Sequence, residues 1–140
     1  MKIYKTTDRI EVKVRDITIQ LSPLTLDQKS DIRGCVHTVS GVERVDEGKI
    51  AMLSIMYSIK YISGATNPDG SDYNLSFSDN GNLTKECVEE LLNSELQLDL
   101  SIVCTTLMHG IPSLFINPLT GKRLEGVEIT SGKSKRPKKS

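Results

Sequence analysis

Residues 46–64, DEGKIAMLSIMYSIKYISG, carry more apolar surface in one continuous run than any other part of the chain, and the fold class turns on how they are read. At helical spacing, Ile50, Leu53, Tyr57 and Tyr61 form one stripe, and Met52, Ile55, Met56, Ile59 and Ile62 form a second. An arc that wide exceeds what a one-sided surface helix needs. Asp46 can cap the amino end and Gly64 can supply the left-handed residue that closes the other end. The stretch therefore predicts a central helix over 46–63, packed on two sides. Ala51, Ser54 and Ser58 leave a strip of small side chains between the stripes, where a second helix can approach closely. Either both stripes are core, or one of them, centred on Ile55 and Ile59, faces another chain.

Upstream of this run, Ile10, Val12 and Val14 alternate with polar residues, and so do Ile17, Ile19 and Leu21. The alternation slips by one across Arg15-Asp16. A two-residue loop there pairs Val14 with Ile17, Val12 with Ile19 and Ile10 with Leu21 on one face of a hairpin over 10–21. Such a hairpin is marginal in water, so its apolar face needs helices against it. Thr25 with Gln28 three positions on forms a capping box that opens a helix over 25–39, weakened by Gly34, and Ser40 to Val45 reads as a loop.

Downstream, Asn67-Pro68-Asp69-Gly70 and Asp79-Asn80-Gly81 are turn signals, with a short alternating piece Tyr73, Leu75, Phe77 between them. Thr84 caps a helix over 84–93 and Leu83 can staple onto Val88. Ser94 with Gln97 predicts a further helix over 94–109, stopped by Gly110 and Pro112. Its stripe Leu96, Leu100, Val103, Leu107 is a single face. Beyond it come only short extended pieces, Leu114-Phe115-Ile116 and Val127-Glu128-Ile129. The expected fold is mainly α with an N-terminal β-hairpin (α+β): about four helices in one small domain over 1–130, followed by a flexible basic tail over 131–140.

The composition narrows function. In 140 residues the apolar fraction is 37%, with four Tyr, two Phe and no Trp, so stability can depend partly on self-association or a partner. No apolar run reaches the length of a membrane span and the amino terminus has no signal-peptide core, so no membrane partner and a cytoplasmic location are expected. Cys35, Cys87 and Cys104 are widely spaced, with no CxxC pair, and read as buried thiols. The formal net charge is zero, yet residues 69–99 hold eight acids against Lys85, and residues 131–140 hold five bases and no acid. The basic end could touch nucleic acid in a salt-sensitive way, although short basic ends are usually solvated.

Catalytic motifs are missing. His37 and His109 stand near expected helix ends, where the macrodipole favours them, and neither has a spaced partner for a metal or a nucleophile. The acidic loop fails as an EF-hand, since placing Gly81 sixth puts Ser76 first and Cys87 last. GVEITSGKS, from Gly126 to Ser134, has one residue too many between its glycines for a phosphate-binding loop. The expectation is a protein that is not an enzyme and has no cofactor or metal.

The stretch DITIQLSPLTLDQKSDIRG, a strand running into Leu-Ser-x-Leu and a capped helix, resembles the opening of the tail assembly chaperones of long-tailed bacteriophages, the lambda-type family. Length, the N-terminal hairpin and a hydrophilic tail containing Gly132-Lys133 are similar too. The resemblance implies a non-enzymatic chaperone that keeps the tape-measure protein soluble, helps recruit the tail-tube protein, acts in the host cytoplasm and is absent from the finished virion. It also implies ribosomal frameshifting to a longer form, for which Ser131-Gly132-Lys133 and Pro137-Lys138-Lys139 permit slippery codons. Ile55, Ile59, Leu96, Leu100, Val103 and Leu107 are the candidate partner-binding residues, and a homo-oligomer is a further possibility. Two other functions fit the same sequence: a head-tail connector or tail-completion structural subunit, and a small nucleic-acid-binding regulator.

Overall fold

Residues 10–21 form the hairpin that their alternation predicts. In this computed structural model, which describes residues 3–109 and 120–131, β1 (Ile10–Val14) pairs antiparallel with β2 (Ile17–Leu21) in the expected register, Val14 opposite Ile17 and Ile10 opposite Leu21. All six apolar residues are buried on one face, and each contributes roughly 1.5–3 kcal/mol by leaving water. Arg15, not Asp16, takes the left-handed conformation in the turn, with φ of 55°.

Thr25 caps α1 (Leu26–Arg33) with the reciprocal bonds of a capping box: its hydroxyl accepts from Gln28 N–H at 3.1 Å, and the Gln28 side chain accepts from Thr25 N–H at 3.0 Å. The helix stops at Gly34 and does not run to Val39. Residues 36–45, expected as helix end and loop, form a second hairpin of β3 (Val36–Val39) and β4 (Val42–Val45). Its two-residue turn, Ser40-Gly41, has φ of 53° and 77°, the doubly left-handed geometry whose twist matches that of paired strands.

The central stretch divides. Asp46 caps α2 (Glu47–Ser58), accepting from Lys49 N–H at 3.0 Å, but the helix ends at Ser58 and the chain continues as β5 (Ile59–Ser63). β5 pairs antiparallel with β2, with Ile62 opposite Ile19 and Ile59 opposite Leu21. A longer helix would have left the outer N–H and C=O groups of β2 without these partners, a cost that outweighs the local apolar periodicity. Gly64 closes this strand, not a helix. Its φ is 87°, and a Cβ there would lie 3.0 Å from the Asp16 carbonyl oxygen.

Two turns follow, with Gly70 N–H bonded to Asn67 O and Gly81 N–H to Ser78 O, each at 2.9 Å. Thr84 caps α3 (Lys85–Leu92). The last helix, α4 (Gln97–Thr106), begins later than residue 94, because the Ser94 hydroxyl donates back to Leu91 O at 2.6 Å and no side chain caps the helix. A 3-10 turn, Leu107–His109, extends it. Finally β6 (Val127–Ser131) adds to the outer edge of β1.

The described residues thus hold six strands in two antiparallel sheets beside four α-helices, so the body is α+β with a large strand share and not mainly α. The larger sheet has the order β5-β2-β1-β6 and buries one face under α2, α3 and α4, while Lys13 and Glu128 on the other face are exposed. The expected piece Leu114-Phe115-Ile116, the stop signals Gly110 and Pro112, and the tail from Gly132 lie outside the described residues.

Candidate functional site

The apolar stripes that the sequence offers for a partner lie inside the molecule. Ile55, Ile59, Leu100 and Val103 are fully buried, Leu107 is buried and Leu96 is half-buried against the core. They meet because α2 packs chiefly on α4. Ser54 and Ser58, from the small-residue strip, are buried, and the Ser54 hydroxyl has no hydrogen-bond partner among the described residues. Cys104 of α4 is fully buried, and burial pushes its thiol up to about 12. All three cysteines are free and buried. These residues hold the fold together.

Polar side chains tie several elements together outside this core. Arg15, at the first hairpin's turn, donates through Nε to Asp99 Oδ2 at 2.8 Å, and its backbone N–H donates to Gly126 O at 2.6 Å. Beside it is an open cavity of about 450 Å³ bordered by Lys13, Arg123, Glu125 and Glu128. Its lining mixes both signs of charge: Lys13 stands opposite Glu128 across the strands, and Arg123 donates to Val127 O at 3.4 Å. The Tyr73 phenol donates to Glu90 at 3.1 Å and touches the Cys87 thiol at 3.2 Å. Burial first, then Cys87 and Glu90, raise its pKa, so the phenol stays protonated and works as a tie between loop and helix. Tyr57 likewise ties α2 to α1, donating to Asp31 at 2.9 Å.

A different part of the molecule presents apolar surface outward. Val36, Val39, Val42 and Val45 are 39%, 52%, 59% and 46% exposed, and all belong to the second hairpin. The base of this hairpin is fixed by Asp46 N–H to Cys35 O at 3.0 Å, and Cys35 itself is buried. Beyond the base, every residue from Val36 to Val45 is exposed. Among the described residues no other strand pairs with β3 or β4. Two-stranded hairpins are marginal in water, and projecting one with four exposed valines runs against the usual management of strand edges. Such an element is a candidate surface for a partner.

The sequence does contain the signal for this element. Val-His-Thr-Val and Val-Glu-Arg-Val flank Ser-Gly, a β-branched pattern around a two-residue turn. The spacing of three between successive valines imitates a helical repeat and hides it. His37 falls in β3 and is exposed, and the backbone of His109 ends the 3-10 turn. Among the described residues no group of three or more metal-ligating side chains gathers, and no helix is long and apolar enough to cross a membrane. Comparison with protein-family models, with curated proteins and with solved structures found no match for this chain.

Proposed function

We propose that the chain is a non-enzymatic assembly chaperone for a phage tail, binding the tape-measure protein and helping to recruit tail-tube subunits in the host cytoplasm. The observation that carries this reading is the β3–β4 hairpin, an exposed apolar element on a body whose other large apolar stripes are consumed by the core. A chaperone for a long, aggregation-prone client must offer apolar surface while staying soluble. Four valines interleaved with His37, Thr38, Glu43 and Arg44 do both. The strand running into a capped helix, on which the resemblance rests, is present as β2 and α1.

Co-expression with the tape-measure protein from the same gene cluster tests the proposal. The intact chain should raise the soluble fraction of that client, and mass spectrometry of purified virions should find the chain absent. Stoichiometric presence in particles would favour a connector or tail-completion subunit instead. Salt-sensitive DNA binding lost on deleting residues 131–140 would favour a nucleic-acid regulator. The gene should also carry a slippery heptamer at Ser131-Gly132-Lys133 or Pro137-Lys138-Lys139 if a longer form is made.

A further inference from the structure

The two faces of the second hairpin differ in charge. Cross-strand partners share a face, and neighbours along a strand do not. In the register His37 opposite Arg44 and Val39 opposite Val42, these four residues occupy one face, and Val36, Thr38, Glu43 and Val45 occupy the other. The first face therefore pairs two basic side chains beside two valines, with no acid from either strand. Among the described residues Arg44 makes no ion pair. Asp46 follows beyond the end of β4, where its Oδ1 caps α2 by accepting from Lys49 N–H at 3.0 Å.

We propose that the face bearing His37, Val39, Val42 and Arg44 docks an extended segment of another protein that presents carboxylates among apolar side chains. The valines supply apolar contact, and Arg44 supplies a fork that binds a carboxylate in two places. A third strand on a free edge would also give a marginal hairpin the backbone partners it lacks.

A second copy of this chain does not fit. In a two-fold antiparallel pairing of β4 with itself Arg44 never faces Glu43, because residues directly opposite share a face and these two do not, and registers centred on either of them set like charges together. Stacking the basic face on its copy gathers two arginines and two histidines. Pairing β3 with itself likewise offers Arg44 no carboxylate, since Val36–Val39 holds none. A nucleic acid fits less well than protein, since one permanent charge beside two valines supplies few phosphate contacts.

Docking here rests on the hairpin being the client-binding element proposed above, whereas the phage identity of the client is a separate matter that a synthetic probe does not touch. The probe is a short labelled peptide alternating valine and glutamate, compared with one alternating valine and lysine, by fluorescence anisotropy against the intact chain. The glutamate peptide should bind and the lysine peptide should not. Arg44→Glu should weaken the first at least about tenfold, equivalent to about 1.4 kcal/mol, and gain binding to the second. Arg44→Gln should lose less in the same direction, and circular dichroism should show both variants folded. Equal binding of the two peptides, binding of neither, or indifference to Arg44→Glu overturns the proposal. So does a dimer in light scattering that Val39→Thr with Val42→Thr dissolves, or retention on a DNA duplex that Arg44→Glu abolishes.

Discussion

Hairpins β1–β2 and β3–β4 are built by the same local means, two antiparallel strands of β-branched and polar residues around a two-residue turn with left-handed backbone. Their surroundings are opposite. In the first, apolar residues at every second position fall on one face, and that face is buried under helices. In the second, valines at every third position divide between the faces, so no single layer can bury them, and all four are exposed. Apolar spacing therefore decides whether a hairpin becomes core or a projecting surface. The turn decides only that a hairpin forms.

The largest test of this contrast places one charge in each hairpin. Val12→Asp puts a carboxylate at a fully buried site, at a cost of several kcal/mol, comparable with the roughly 5–15 kcal/mol that holds a domain together. The cooperative thermal transition should be lost. Val42→Asp should change global stability by no more than about 0.5 kcal/mol. A large fall in melting temperature for Val42→Asp would show that the second hairpin is integral to the core.

The same contrast governs what the sequence makes legible. Residues 10–21 can be read down to register, because period-two alternation and a buried face specify one pairing. The capping box at Thr25 and Gln28 is legible because it is local chemistry. Residues 59–63 are not, since Ile59 and Ile62 suit a helical stripe as well as a strand, and what decides is the open edge of β2, far away in sequence. Residues 36–45 mislead because a spacing of three mimics a helix, although Ser40-Gly41 marks the turn. Ile55 and the Leu96 to Leu107 stripe attract a partner-binding reading because an apolar stripe looks alike in sequence whether it meets its own chain or another.

A smaller effect comes from the two glycines that serve the hairpins. Gly64, with φ of 87°, sits where a Cβ would meet Asp16 O at 3.0 Å. Gly64→Ala should cost about 1–3 kcal/mol in urea unfolding, as strained left-handed residues do. Gly41 has φ of 77° and open space around it, so Gly41→Ala should cost about 1 kcal/mol, confined to β3–β4. Equal global losses for the two would erase the distinction.

Native-state dynamics should separate the hairpins without any substitution. Amides of β1 and β2 should exchange only through global unfolding, whereas those of β3 and β4 should exchange through local opening. Cys35, at the base of the second hairpin, should alkylate before Cys104, which is fully buried and whose thiol is held protonated to about pH 12. Above pH 9, the ordinary thiol value, an unfolded chain would lose the Cys104 proton that the folded chain retains. Stability should therefore fall as pH rises from there toward 12.

The smallest expected change in stability carries the sharpest functional consequence. Val39→Thr with Val42→Thr keeps β-branching and shape at two exposed positions facing each other across the strands, so strand propensity is preserved and no core contact is lost. Unfolding free energy should move by no more than about 0.5 kcal/mol, with circular dichroism unchanged. What the double substitution removes is exposed apolar area. If the hairpin is the docking element, the soluble yield of a co-expressed tape-measure protein should fall sharply while the variant itself stays folded. The corresponding change in the first hairpin, Val12→Thr, places a hydroxyl in the core and should cost about 1–3 kcal/mol. At a temperature where that variant remains folded, it should leave client yield intact. Full chaperoning by the double variant, with threonine in place of both Val39 and Val42, would remove the hairpin from the binding surface and return the search to the other exposed apolar residues, Ile3, Leu26, Tyr61, Phe77 and Leu98.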